Sequence, residues 1–185
     1  MANFRVQFNE LGNYEAALGK AFKPAVSKAL KKAARNTVDL YKYGTRNAPP
    51  ASPNGSTGAV ASGKFLRSWK VQPTSDQYTV HVFNEADHAY NVEEGRKAGS
   101  AMPPVSEIAA WVLKKGLGKK QGRDKRGRFM SKNVRAIAFL IARAIARRGL
   151  KGRHIVKTYE NSARTRANQL LRDGLDEAMK KARKA

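Results

Sequence analysis

The feature that most constrains this chain is the stretch from Lys114 to Arg135, KKGLGKKQGRDKRGRFMSKNVR. It carries ten Lys or Arg residues and one acid, Asp124. Gly116, Gly118, Gly122 and Gly127 interrupt it. Glycine in a helix interior forfeits backbone entropy, so no stable helix is expected to run through. Apolar residues at helical spacing flank it on both sides, Val105 to Val112 before and Val134 to Arg148 after. The stretch therefore reads as a basic loop, residues 114–133, whose two ends are held by a folded body.

The rest of the chain supplies that body. Phe4, Val6 and Phe8 alternate with Arg5 and Gln7, the period of a short half-buried strand. Asn13 is a candidate helix cap. A helical stripe then runs from Leu18 through Phe22, Val26, Leu30, Ala34, Val38 and Tyr41 to about Arg46. Pro24 inside it predicts a kink or a fresh helix start. Residues 48–63, APPASPNGSTGAVASG, have the composition of a mobile arm. Phe65–Gln72 and Tyr78–Asn84 alternate as strands, and Pro73–Gln77 provides the turn of a hairpin. A third strand is expected over Ala89–Glu93. Pro103 and Pro104 open a helix with Ile108 and Trp111 on its apolar side. In the helix from Val134 to Arg148, Ile137, Ala138, Leu140, Ile141, Ala144 and Ile145 are expected as core, and Gly149 as its stop. A short strand is expected at His154–Val156. An exposed amphipathic helix follows over residues 158–182. The order is that of a single α+β domain over residues 1–185, with a long N-terminal helix and further helices packed on a small, mostly antiparallel sheet.

Charge narrows the function. The formal net charge is +23. A chain this basic repels itself unless it meets an anion, and nucleic acid is the usual one. Hydrophobic residues make up 41% of the chain, enough for a folded core. There is no cysteine, which excludes disulfides, thiol catalysis and cysteine-ligated zinc. The N-terminus lacks the apolar centre of a signal peptide, and no apolar run approaches the roughly 20 residues of a membrane helix. The expectation is a soluble protein made in the cytoplasm, without a membrane partner.

Catalytic patterns are not found. His81, His88 and His154 are scattered, without the i, i+4 spacing of a helical metal pair. Glu93 and Glu94 would face opposite sides of a strand. Asp87 with Glu93 could hold Mg²⁺ in a nuclease, but nothing else completes such a site. There is no P-loop, Rossmann glycine pattern or nucleophile elbow. The expectation is no enzyme, no cofactor and no metal. Standard nucleic-acid modules are missing too, and only Phe129 interrupts the basic stretch with an aromatic ring. Lys119, Lys120, Arg123, Lys125, Arg126 and Arg128 are therefore candidates for contact with phosphate, without choice of sequence, or with an acidic partner.

Several motifs in order resemble a known family. They are Ala48-Pro49 after the long helix, Ser62-Gly63-Lys64-Phe65-Leu66-Arg67-Ser68, and Tyr90-Asn91-Val92-Glu93-Glu94-Gly95. Next come Pro103-Pro104 with Ile108 and Trp111, closing on Lys115-Gly116, and the Ala-rich run from Ala138 to Arg148-Gly149. Together, over roughly residues 13–180, they resemble the neck or tail-completion proteins of long-tailed bacteriophages, also described as minor tail components. Residues 50–61 lengthen a connection that is short in that family.

The resemblance implies a structural virion protein without catalysis. It implies assembly in the host cytoplasm into a homo-oligomeric ring of six or twelve subunits at the neck or tail. The implied partners are the neighbouring connector, tail-terminator or tail-tube proteins, with genomic DNA contacted non-specifically. Pro49, Pro50, Pro53 and Val60 of the arm are the candidate subunit-interface residues, and the C-terminal helix is a second candidate contact. The alternative is a free, non-specific basic DNA-binding protein.

Overall fold

The computed structural model describes residues 11–50, 57–60, 63–75, 78–117, 122–123, 129–130 and 133–184. The strand expected at Phe4–Phe8 lies outside them. Two long helices form the spine. α1 (Leu11–Leu18) passes through a 3-10 turn at Gly19–Ala21 into α2 (Phe22–Asn47). Asn13 lies inside α1 and is not its cap. Pro24 falls in the first turn of α2, where its missing N–H costs nothing, so the break comes just before it.

The apolar stripe of α2 buries Phe22, Val26, Ala29, Ala33, Ala34, Val38 and Tyr41. Its main partner is the C-terminal helix α7 (Ile155–Ala182), which buries Ala163, Ala167, Leu170, Leu171 and Leu175. Small residues bring the two axes close, and a methyl group added at Gly174 would press on Ala29. The C-terminal helix is thus not the exposed element expected. Its apolar face is occupied within the chain by α2, and its polar face is left exposed. It also starts at Ile155, where a strand had been expected.

A short helix α3 (Lys64–Arg67) leads into the hairpin of β1 (Trp69–Pro73) and β2 (Val80–Asn84). Trp69 pairs with Asn84 and Val71 with Val82, antiparallel. Trp69 and Val82 point down onto α2, as their period-two pattern requires. The Trp69 ring sits 4.9 Å from that of Tyr41 and 5.7 Å from that of Phe65. Its Nε1 donates to Thr45 Oγ1 at 3.4 Å, and Thr45 in turn donates to the carbonyl of Tyr41 at 2.7 Å. Trp69 Nε1 and Thr45 Oγ1 are therefore paired, whereas the buried Tyr41 hydroxyl has no hydrogen-bond partner among the described residues.

Ala89–Glu93 is a helix, α4, and not the third strand expected. The adjoining strand β3 is Gly95–Arg96, and it pairs antiparallel with β6 (Leu150–Lys151). Between them lie α5 (Val105–Lys114), β4 (Gly122–Arg123), β5 (Phe129–Met130) and α6 (Val134–Arg148). The fold is α+β, and its described strands form three separate antiparallel pairs: β1–β2, β3–β6 and β4–β5.

Candidate interaction surface

The basic stretch sits within a substructure of its own. α5 packs chiefly on α6, and the chain enters and leaves that pair through the two strands of the β3–β6 crossing. That crossing is built from glycine. Gly95 and Gly149 have φ of 81° and 71°. A side chain on Gly95 would strike the backbone of Leu150 to Gly152, and one on Gly149 the backbone of Arg96 to Ala98. Only glycine satisfies both the positive φ and the close approach. Gly149 also ends α6, donating to the carbonyl of Ile145 at 2.8 Å, as expected of its position.

The stretch itself is not wholly loop. Gly122 pairs with Met130 and Arg123 with Phe129, so a small antiparallel ladder lies inside it. Lys119, Lys120, Lys125, Arg126 and Arg128 lie outside the described residues. Arg123 is placed by its backbone alone, on β4. At the end of the stretch, Asn133 caps α6, accepting from the amides of Arg135 and Ala136 at 3.0 and 3.3 Å. Residues 103–149 hold 13 basic and 2 acidic side chains, a net charge of +11. Nearly half of the molecule's excess charge is thus concentrated in about a quarter of its length.

α6 departs from the expected burial. Ala138 and Ala142 are fully buried, whereas Ile137, Ile141 and Ile145 are half-buried and Ala144 is exposed. Leu140, expected in the core, is 62% exposed, and Phe139 is 45% exposed. A single partner helix cannot cover a helix that is apolar on more than one face. Arg135, Arg143, Arg147 and Arg148 are exposed, and among the described residues none has a carboxylate partner.

The base of the arm is ordered against the spine. Ala48 is buried, its carbonyl accepting from Gly58 N at 2.7 Å, while Ala59 N donates to Thr45 O at 2.7 Å. Pro49 and Pro50 are exposed, and the carbonyl of Pro49 accepts from the Arg153 guanidinium. Burial holds Arg153 below the usual arginine range. Val60 is 40% exposed, and Pro53 lies outside the described residues.

The residue that sequence reasoning missed is Glu93. Its carboxylate accepts from the amides of Ile155 and Val156 at 2.8 and 2.9 Å, with Lys157 N at 3.3 Å. It caps α7 from more than sixty positions upstream. The signal was present: KGRHIVK offers no Ser, Thr, Asp or Asn at the helix start, so a remote acceptor was required. His154 occupies that start in a left-handed conformation, φ 46°. Tyr90, expected to build a scaffold strand, is instead 72% exposed on α4.

Glu93 is thereby engaged in capping, and Asp87 is held by Lys64 at 2.7 Å. Lys64 keeps the Asp87 carboxyl below, and Asp87 the Lys64 ammonium above, their ordinary ranges. Burial lowers His88, and the nearby Lys64 lowers it further. Burial raises Tyr41 to about 12, with Glu160 and Glu93 adding to the rise. Among the described residues no group of three or more His, Cys, Asp or Glu side chains could hold a metal, and no helix is long and apolar enough to cross a membrane.

Residues 9–95 match the HK97-gp10-like family model, whose description reads "Bacteriophage HK97-gp10, putative tail-component". The resemblance drawn from the motif order holds over that span, which takes in Ala48-Pro49, Ser62 to Ser68 and Tyr90 to Gly95. Residues 9–95, just under half of the chain, are thus similar to a family described as a phage tail component. The match ends at Gly95, the first glycine of the crossing, and α5, α6 and α7 lie beyond it. No curated protein and no solved structure matches the chain.

Proposed function

We propose that this protein is a structural virion protein of a tailed phage that forms a ring at the neck, acting in tail completion and head-to-tail joining around or near the DNA passage. The observation that carries the reading is the basic unit of residues 103–149, enclosed between the two strands of a glycine crossing and adjoining the span that matches a phage tail family. A cationic unit repeated by rotational symmetry surrounds a central path with positive potential, which eases passage of a polyanion. Lys119, Lys120, Arg123, Lys125, Arg126 and Arg128 meet phosphates or an acidic neighbour. Pro49, Pro50, Pro53 and Val60 meet the next subunit in a ring of six or twelve copies. The protein assembles in the host cytoplasm with connector, terminator or tube proteins, and no step requires catalysis.

A reconstruction of the assembled particle tests this. The expected result is a closed ring of this chain at the head–tail junction, with residues 114–133 turned toward the lumen or toward an adjoining layer. Single copies located elsewhere on the virion would remove the reading.

A further inference from the structure

Among the described residues nine large hydrophobic side chains stand exposed; Leu113, Leu117, Phe139 and Leu140 lie within the basic unit of residues 103–149, and Met102 immediately precedes it. Phe139 and Leu140 are consecutive on α6. At about 3.6 residues per turn, Ala136, Leu140, Arg143 and Arg147 fall on the side of α6 opposite the buried Ala138 and Ala142, and Phe139 stands on the flank of that side, about 100° round from Leu140. All five are exposed. The face is apolar in its N-terminal half and basic in its C-terminal half. α6 has no acidic residue to pair with its own arginines.

We propose that this face of α6 docks on a different protein, at an apolar patch bordered by carboxylates. Charge complementarity selects the partner. Exposed Phe and Leu gain nothing from phosphate, but they gain from an apolar surface that excludes water. Arg143 and Arg147 then lie at the rim, where they favour acidic partners and reject basic ones. A second copy of this chain fits poorly. It carries +23, and many of its own carboxylates are already engaged. Asp87 is with Lys64, Glu85 with Lys70, Glu160 with Arg164, Glu177 with Lys181, Asp176 with Tyr14, and Glu93 on the start of α7. The inference stands apart from the ring reading, since it requires neither a ring nor DNA.

The probe is a labelled amphipathic helical peptide with leucines on one face and glutamates on the other. Its companion has every leucine replaced by serine. Fluorescence anisotropy against the full chain should show the leucine peptide binding at least about tenfold more tightly than the serine peptide. Phe139→Ser with Leu140→Ser should remove that difference, and Arg143→Glu with Arg147→Glu should weaken both peptides. Circular dichroism should show unchanged helicity for each variant, since these side chains are exposed. Should the serine pair fail to fold, the charge-reversed pair decides alone. Three results would overturn the proposal. The first is no binding, or equal binding of the two peptides. The second is self-association in sedimentation that the serine pair abolishes, which would make the occupant a second copy. The third is a loss of duplex-DNA binding by the serine pair as large as its loss of peptide binding, which would make the face a nucleic-acid surface.

Discussion

At the residue scale, Glu93 shows how one side chain joins distant parts of the chain. Three of the amides at the start of α7 face its carboxylate, and α7 is half of the central helix pair. Leaving those donors without an acceptor costs about 1–3 kcal/mol. Glu93→Ala should therefore lower unfolding stability by about 2 kcal/mol, and Glu93→Gln, which keeps a neutral acceptor, by less. Urea denaturation would read this, and an unchanged midpoint for Glu93→Ala would show that α7 holds its start by other means. The sequence presented Glu93 as a strand residue beside Glu94. Its role became visible only when α4 brought it to the turn at Gly152–His154, where Arg153 N and His154 N donate to the carbonyls of Val92 and Glu93.

At the scale of elements, two leucines on two helices test the difference between core and surface. Leu175 of α7 is fully buried against the end of α1 and the first turns of α2, among Leu18, Phe22 and Val26. Leu140 of α6 faces outward. Leu175→Ala leaves a cavity and should cost about 2–5 kcal/mol. Leu140→Ala should move stability by no more than about 0.5 kcal/mol. Thermal melts of the two variants, compared side by side, check both values; equal losses would mean that α6 is buried by something within the chain. The apolar period of α6 was readable, and so were its limits at Val134 and Gly149. Its degree of burial was not, because period reports which residues share a face and says nothing of how many neighbours exist to cover it.

At the scale of the whole molecule, charge and fold separate. The basic stretch contributes little apolar surface, so stability rests on the α2–α7 spine and the aromatic cluster of Tyr41, Phe65 and Trp69. Replacing Lys119, Lys120, Arg123, Lys125, Arg126 and Arg128 by glutamine should leave the melting temperature close to that of the parent chain. The same variant should bind duplex DNA with a shallower salt dependence, by about 0.9 in log–log slope for each phosphate contact removed. An unchanged slope would redirect those side chains to an acidic protein neighbour.

The sequence by itself determined the α+β class, the two long helices, the β1–β2 hairpin and the enclosed basic stretch. It also carried the motifs of a phage tail family. These are local matters: hydrophobic period, proline and glycine punctuation, and charge density act over a few residues each. Only the tertiary structure decided that Ala89–Glu93 coils where a strand was expected, and that the C-terminal helix spends its apolar face on α2. It alone placed Glu93 as a remote cap, Gly95 and Gly149 as a backbone crossing, and the far side of α6 in solvent. Each of those depends on what lies opposite a residue in space, and the apolar area left uncovered is settled only when all the partners have been placed.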